Sequence, residues 1–169
     1  MRLDRKSLTA LIVALALGSI IVMADESLCR VLDRVVAYVD DRAITLTEFQ
    51  DSYAATREKS PDVSPEEVIE SMINRLLLIK EARKIRLEAA SDDDLLSELI
   101  EIKIRAPIVI REDGAKAFYE SHRSEFGERD FLSVRDEIEQ YLFELEATRR
   151  LKEYLEQLRG GSEIRIQLR

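Results

Sequence analysis

A mostly α-helical fold with a small antiparallel β-sheet is the architecture that the sequence predicts, and three observations support it. With five Gly, three Pro and no Trp among 169 residues, the composition favours long helices over an all-β chain with many turns. Helix-capping residues precede long segments with three- and four-residue apolar spacing. Short β-type runs occur near residue 40 and at the C-terminus. We expect residues 25–169 to form a single domain.

The β elements lie far apart in the sequence. Residues 35–39 are a β-branched run, residues 40–42 suit a turn, and residues 43–45 are a second short run, which together predict a hairpin over 35–45. Residues 163–168 alternate polar and apolar side chains, as in a strand that buries one face. Because an isolated strand needs a partner, we expect this C-terminal strand to return to the hairpin and complete one small antiparallel sheet.

Five helical segments are expected between these β elements. Ser64 gives the clearest start signal, because Pro65 follows at the first helical position and Glu67 can close a capping box. Ser91 precedes three aspartates, whose carboxylates suit the free amides and positive dipole of a helix start. Ser133 is the expected cap of the last helix. The expected helices span about 47–58, 65–86, 92–105, 112–124 and 133–159.

The first two helices carry further expectations. Thr45 or Thr47 can cap the first helix, since Glu48 and Gln50 follow them by three residues and either can close a capping box. The second helix is apolar around far more than the ~100° stripe of a surface helix, so we expect other elements to enclose it as the central core helix. Its apolar residues are Val68, Ile69, Met72, Ile73, Leu76, Leu77, Leu78, Ile79 and Ala82.

The first 24 residues have the pattern of a secretory signal peptide. Three basic residues precede seventeen uncharged ones, 8–24, and Ala24 offers a small side chain before a cleavage site. We therefore expect export to the periplasm and removal of residues 1–24. The alternative is that residues 8–24 remain as a membrane anchor and hold the protein facing the periplasm, since their length reaches the lower limit for a span.

Charge and cysteine content narrow the possible partners. The net charge of −8 disfavours nucleic acid and anionic membrane surfaces, because both select for clustered Lys and Arg. The single cysteine, Cys29, cannot form an internal disulfide, so stability must come from packing. We interpret Cys29 as an incidental thiol, with an intermolecular disulfide as the alternative.

The sequence contains no clear pattern of catalytic or metal-binding residues. His122 has no second histidine beside it and is expected at the surface or at a helix end. Residues 92–94 lack the spacing of a calcium loop and suit a helix start, as do Glu66 and Glu67. No order of Ser, His and Asp supports nucleophilic catalysis. We therefore expect no catalytic residue, no metal, no cofactor and no small-molecule substrate.

The order of these segments resembles the SurA and PrsA (PpiC-type) extracytoplasmic foldases over most of residues 33–169. The similarity is to their chaperone portion, which implies a SurA-N-like domain whose C-terminal helix and strand return to pack on the N-terminal hairpin and helices. Such foldases usually insert a parvulin prolyl isomerase domain, whereas only residues 127–132 separate Phe126 from the last helix. The resemblance is carried by residues 33–39, 44–45, 67–82, 118–122, 134–159 and 164–166.

The resemblance implies an ATP-independent holdase that binds unfolded exported polypeptides, including outer-membrane protein precursors. Such a protein exposes apolar surface in a concave region and shields it with charge. Two alternatives stay open. One is a structural dimerisation or scaffold module of the envelope, in which a partner subunit covers the apolar surface, as in a possible homodimer. The other, least favoured because the isomerase domain is missing, is a prolyl isomerase.

The candidates for binding clients are the apolar residues with the least obvious core partners. After Pro107 ends the third helix, residues 108–110 are expected to form an extended apolar bridge. Further candidates occur from there to the start of the last helix. For each of them, burial in an ordinary core is the alternative. The candidates are Ile108, Val109, Ile110, Tyr119, Phe126, Phe131 and Leu132.

Overall fold

The computed structural model of the protein describes residues 33–168, so the expected signal at 1–24 and Cys29 lie outside the described residues. Residues 33–168 are mostly helical and contain one three-stranded antiparallel sheet, which confirms the predicted class. A π-helical turn, Glu101–Arg105, extends the helix Asp92–Ile100, and a 3-10 turn, Arg123–Glu125, follows the helix Glu112–Ser121. The elements are β1 Val35–Val39, β2 Arg42–Thr45, α1 Leu46–Lys59, α2 Pro65–Lys84, α3 Asp92–Ile100, α4 Glu112–Ser121, α5 Phe131–Gly160 and β3 Ile164–Ile166.

The sheet has the order β2-β1-β3, so the two ends of the described chain meet as predicted. β1 is the central strand, and it is antiparallel to both neighbours. Ala37 lies opposite Ile166, and Val39 lies opposite Ile164. Backbone bonds extend this pairing beyond β3, because the Gln167 N–H donates to the Val36 carbonyl at 2.8 Å. β1 is therefore hydrogen-bonded along both edges.

The prediction that the C-terminal strand buries one whole face is wrong in part. Ile164 is half-buried and packs against the core beside the sheet. Ile166, two residues further along the same face, remains 45% exposed. β3 is a short edge strand with a single neighbouring strand, so the core covers Ile164 and, just beyond the strand, Leu168, but leaves Ile166 between them exposed.

The capping boxes of α1 and α2 are present. Thr45, rather than Thr47, caps α1, since its Oγ1 accepts from the Glu48 N–H at 3.3 Å and Glu48 Oε2 accepts from the Thr45 N–H at 2.9 Å. At α2, Glu67 Oε2 accepts from the Ser64 N–H at 2.8 Å, and Ser64 Oγ accepts from the Glu67 N–H at 3.2 Å. Each box satisfies two amides that no helical carbonyl can reach.

The last helix begins earlier than predicted. Asp130, rather than Ser133, is the cap of α5, and its Oδ1 accepts from the Ser133 N–H at 3.0 Å. That hydrogen bond lowers the pKa of the Asp130 carboxyl. Ser133 itself lies in the first turn, where its hydroxyl donates to the Asp130 carbonyl at 2.8 Å. The carboxylate is the stronger acceptor for a helix-start amide, and its position brings Phe131 and Leu132 into α5.

Helix α5 joins the hydrophobic core from end to end. Towards its N-terminus, Val134 and Ile138 pack against α4. In its middle, Ala147 packs against the π-helical turn. Near its C-terminus, Leu155 packs between α2 and α3, and Leu158 also reaches the cluster beneath the sheet. The central position predicted for α2 is confirmed, because its buried residues contribute to both of these last two clusters.

Asp40 ties together three segments that are distant in sequence. Its backbone has φ of 53°, in the left-handed region that Asp and Asn tolerate better than most residues. Its Oδ2 accepts from Lys80 Nζ of α2 at 2.6 Å, and its Oδ1 accepts from the Glu163 N–H before β3 at 2.8 Å. Its own N–H donates to the Glu163 carbonyl at 2.8 Å. The β1–β2 turn therefore holds both α2 and the returning strand.

We expect Asp40→Asn to lower the free energy of unfolding by at most about 1 kcal/mol at neutral pH, the upper end of the range for an ion pair that solvent partly screens. Asparagine keeps the left-handed backbone and can still accept from the Glu163 N–H, so the change chiefly removes the Lys80 contact. Urea denaturation measures the difference. Asp51→Asn, on the exposed surface of α1, is the matched control and should leave stability within about 0.5 kcal/mol. Equal stability of Asp40→Asn and the wild type would contradict this role.

The effect of Asp40→Asn should depend on pH. Hydrogen bonds from Lys80 and from the Glu163 backbone N–H lower the pKa of the Asp40 carboxyl. A lowered pKa in the folded protein means that this carboxylate stabilises the fold above its unfolded-state pKa, and that the contribution is lost as pH falls through the folded-state pKa. The stability difference between wild type and Asp40→Asn should therefore shrink between about pH 5 and about pH 2. A difference that stays constant over this range would rule out the carboxylate charge as its cause.

Candidate functional site

The structure separates the seven apolar candidates by exposure. Ile108 and Tyr119 are buried, Ile110, Phe126 and Phe131 are half-buried, and Val109 and Leu132 are exposed. Exposure reaches 80% for Val109 and 77% for Leu132. Only these two side chains present most of their surface to a partner.

Burial in an ordinary core, the alternative for every candidate, holds for Ile108 and Tyr119. Ile108 packs with Ile104 of the π-helical turn and Ala147 of α5. The Tyr119 hydroxyl donates to the Arg129 carbonyl at 2.7 Å, so this buried polar group is satisfied. The Tyr119 ring packs edge-on against Phe131, with ring centroids 5.7 Å apart. Both residues are mostly enclosed by the fold and keep only 8% of their surface exposed.

Residues 108–110, which we name the bridge, present alternate side chains to opposite sides. The Ile108 N–H donates to the Arg105 carbonyl at 3.0 Å, which ends the π-helical turn. The chain then runs without helix or strand to α4. Ile108 and Ile110 pack on the cluster around α5, whereas Val109 points away from it. Because neighbouring side chains of an extended chain point in opposite directions, two anchoring isoleucines force the valine between them outward.

The bridge and α5 enclose an open groove of about 530 Å³. Its apolar lining includes Val109 from the bridge and Leu142 and Leu145 from α5. Leu145 is 54% exposed, so the lining is accessible on both sides. We call this feature the bridge groove. It is lined by Ile108, Val109, Ile110, Arg111, Asp113, Gly114, Leu142, Leu145, Glu146, Arg149 and Arg150.

Charged side chains that pair with one another border the bridge groove. Arg111 Nε lies 3.1 Å from Asp113 Oδ1. On α5, Glu146 Oε1 accepts from Arg149 Nη2 at 2.6 Å and from Arg150 Nε at 2.7 Å. These two guanidinium groups lower the pKa of Glu146 to about 2, so the carboxylate stays ionised throughout the physiological range. The apolar lining is therefore framed by charges that are already partnered.

The sequence reasoning did not select Leu145 or Tyr141 as candidates, although both are 54% exposed. They fall on the apolar face of the last helix, which predicts burial. A comparison of the lengths of the last two helices could have predicted this exposure. α5 has 30 residues and α4 has 10, so α4 spans about 15 Å of a helix about 45 Å long. Part of the apolar face of α5, including Leu145, then lies beyond the reach of α4, whereas Tyr141 meets α4 through the Phe118 ring and keeps its other side in solvent.

His122 and the aspartates 92–94 lie where the sequence predicted. His122 is the C-cap of α4, and its ring stacks on Phe118 with centroids 4.1 Å apart. The aspartates open α3, where Ser91 Oγ accepts from the Asp94 N–H at 3.1 Å. Within residues 33–168, no three His, Cys, Asp or Glu side chains come together as a metal site would require.

The chain matches no protein-family model and no curated protein. In the described part of the chain, no helix combines the length and the apolar character of a membrane span.

The opposite orientations of Ile108 and Val109 predict opposite effects of truncation. Ile108→Ala should lower the free energy of unfolding by about 2 kcal/mol, because it opens a cavity beside Ala147 of α5. Val109→Ala should change it by less than about 0.5 kcal/mol, because the side chain is mostly in water. Urea denaturation of the two variants under one set of conditions tests both. Equal losses would contradict the orientation of the bridge.

Proposed function

We propose that the protein is an ATP-independent extracytoplasmic chaperone, a holdase that binds unfolded exported or outer-membrane polypeptides in the bridge groove. The observation that carries the proposal is that Val109 and Leu145 line one open groove and are both largely exposed. Two large apolar side chains that line one concavity leave it free for an apolar segment of another chain.

The charges around the groove favour reversible binding of unfolded chains over self-association. Arg149 and Arg150 are held by Glu146, Arg149 also pairs with Glu153, and Arg111 pairs with Asp113, so three guanidinium groups at the border meet three carboxylates. Such a border hinders association between folded copies of the protein. It does not require a client of one particular charge. An unfolded polypeptide supplies the apolar side chains that the lining needs, and it supplies them in many sequences. Apolar contacts suit such a variety because they are not directional.

The arrangement of the chain supports the finer fold proposal, a SurA-N-like chaperone domain. In the chaperone portion of that family, a C-terminal helix and strand return to the N-terminal module. Here α5 packs along α2, and β3 pairs with the free edge of β1, the first strand of the hairpin. Residues 127–130 alone separate the 3-10 turn and Phe126 from α5, and so the proposal includes no isomerase domain at that point.

Periplasmic location belongs to the same proposal. Export would place a nucleotide-independent holdase where newly translocated chains are still unfolded. If residues 8–24 were retained as an anchor instead, the groove would work beside the membrane from which clients emerge. Separation of periplasmic and membrane fractions, with the mass of the protein measured in each, distinguishes the released protein without residues 1–24 from the anchored one that keeps them.

A dimerisation module is the second candidate, and the exposure of Tyr141 and Leu145 favours it. These side chains lie one turn apart on α5, so they form a continuous apolar strip that a second subunit could cover. Light scattering gives the mass, and a hydrophobic dye reports open apolar surface. A closed dimer should bind little dye, whereas a holdase without client should bind it readily.

We expect the double variant Val109→Asn with Leu145→Gln to weaken the holdase. Polar side chains of similar size remove apolar lining without removing buried contacts, so binding of an unfolded client should fall by roughly tenfold. The measurement is light scattering during dilution of a urea-unfolded polypeptide, with the protein present at near-stoichiometric ratio. The wild type should suppress aggregation, and the double variant should need far more protein for the same effect.

Leu132→Gln is the matched control, since Leu132 is as exposed as Val109 but does not line the bridge groove. It should suppress aggregation as the wild type does. If the wild type left aggregation unchanged, the chaperone proposal would fail. Equal suppression by wild type and double variant would show that clients bind somewhere other than the bridge groove.

A further inference from the structure

A second concavity lies beside the bridge groove, and its lining is mainly aromatic. It has a volume of about 380 Å³ and lies between α4, the 3-10 turn and α5. We call it the aromatic pocket. It is lined by Phe118, His122, Glu125, Phe126, Ile138, Glu137 and Tyr141.

The rings of the aromatic pocket surround Phe118. Its centroid lies 5.4 Å from that of Tyr141 and 6.5 Å from that of Phe126, which meets it edge-on. The His122 ring stacks on it at 4.1 Å. Tyr141 is 54% exposed, so ring surface is open to solvent rather than closed into the core. Several aromatic faces directed at one small volume can attract a cation through their negative quadrupoles.

The charged side chains that line the aromatic pocket are both acidic. Glu125 has no ion-pair partner among residues 33–168, and Glu137 pairs with Arg129 through one oxygen, Oε2, at 2.9 Å. Neither Arg123 nor Arg129 lines the pocket. Arg123 instead donates to the carbonyls of Gly127 and Arg129. The pocket therefore combines aromatic rings with one carboxylate, Glu125, that has no ion-pair partner in the described part of the chain, and a second, Glu137, that Arg129 already pairs with.

The same region already places guanidinium groups over aromatic rings. Arg129 Cζ lies 5.7 Å from the centroid of Phe126, and Arg123 Cζ lies 5.0 Å from that of Tyr119. Both distances are within the ~6 Å range of a cation–π contact. The surroundings of the aromatic pocket are thus suited to a planar cation that also bonds to carboxylate oxygens.

We infer that the aromatic pocket binds a basic side chain, arginine above all, of the polypeptide held in the bridge groove. The inference rests on the proposed function, and it adds a preference for basic residues to the general preference for apolar ones. Tyr141 lines the pocket and Leu145, one turn further along α5, lines the groove, about 6 Å away along the helix axis. An extended client covers that distance with about two to four residues.

Short unstructured peptides test the inference with the purified protein. Each carries a Leu-Val pair for the groove and, about three positions away, either arginine or its neutral isostere citrulline. We expect the arginine peptide to bind about fivefold more tightly at low ionic strength, as one exposed cation–π contact and one surface ion pair together suggest. Fluorescence anisotropy with labelled peptides measures both dissociation constants.

Glu125→Gln should reduce the preference for arginine from about fivefold to about twofold, because it removes the ion pair and keeps the aromatic rings, and it should leave the affinity for citrulline unchanged. Glu128→Gln is the matched control, because it makes the same change of net charge on an exposed residue outside the pocket. It should preserve the preference for arginine. Tyr141→Leu should also reduce that preference, and circular dichroism confirms that the variant is folded.

The outcomes separate this inference from the proposed function. If wild type binds both peptides equally, the aromatic pocket has no preference for cations and the inference is overturned, while the groove proposal stands. If Glu128→Gln removes the preference as fully as Glu125→Gln does, diffuse negative charge explains it and the inference is likewise overturned. If neither peptide binds, both proposals fail. Val109→Asn with Leu145→Gln should weaken both peptides by the same factor and keep their ratio.

Discussion

Antiparallel pairing of β3 with β1 is the constraint on which the rest of the described fold depends. Without β3 the sheet would be a two-stranded hairpin, which is marginally stable alone, and one edge of the buried strand β1 would lose its partners. Asp40 holds the pairing where it begins, through two backbone-directed bonds to Glu163 and one bond to Lys80. Arg159, at the end of α5, adds bonds to Glu70 and Asn74 of α2. The chain must therefore return to the sheet along α2.

This return determines where apolar surface remains uncovered. At the end of α4 the chain is still many residues away from β3. It reaches β3 through α5, which has 30 residues. Each section of α5 packs on a different neighbour, and α4 is too short to cover more than the first section. The bridge meets the next section but contributes only two inward side chains. The exposed surface of Leu145 and Val109 is thus a consequence of a long helix that crosses short partners.

The π-helical turn fixes the bridge in place. In this turn the Ala106 N–H donates to the Glu101 carbonyl at 2.8 Å, one residue further back than in an α-helix. Arg105, at its end, forms two bonds to Glu144 of α5, at 3.0 and 2.9 Å, and its guanidinium lies 4.7 Å from the centroid of Phe143. Since Ile108 follows only three residues later, the bridge starts from a firmly held point. An ordered bridge keeps Val109 exposed instead of letting it fold onto α5.

Local sequence signals predicted the elements well, and tertiary packing explains the errors. The capping box at Ser64 depends on residues within one turn, so its pattern could be read directly. At the last helix Ser133 was the predicted cap, and the structure uses Asp130 instead, because the incoming loop places the Asp130 carboxylate at the free amides. The burial of Tyr119 beside the exposure of Val109 could not be derived, because it depends on which neighbours the loops bring to each side chain.

The two proposed contacts differ in how they respond to the solvent, and the structure separates them in space. Apolar burial in the bridge groove is insensitive to screening and strengthens with excluded salts. Contacts between a basic side chain and Glu125 are exposed and weaken as ionic strength rises. Because the two lie about one helical turn apart along α5, a client would engage both at once at low salt and chiefly the groove at high salt. The charge balance at the border of the bridge groove stays the same as ionic strength changes. The Glu146 carboxylate there accepts hydrogen bonds from the neighbouring residues Arg149 and Arg150. Ionic strength would thus shift which client segments are preferred, while the apolar contact remains the basis of binding.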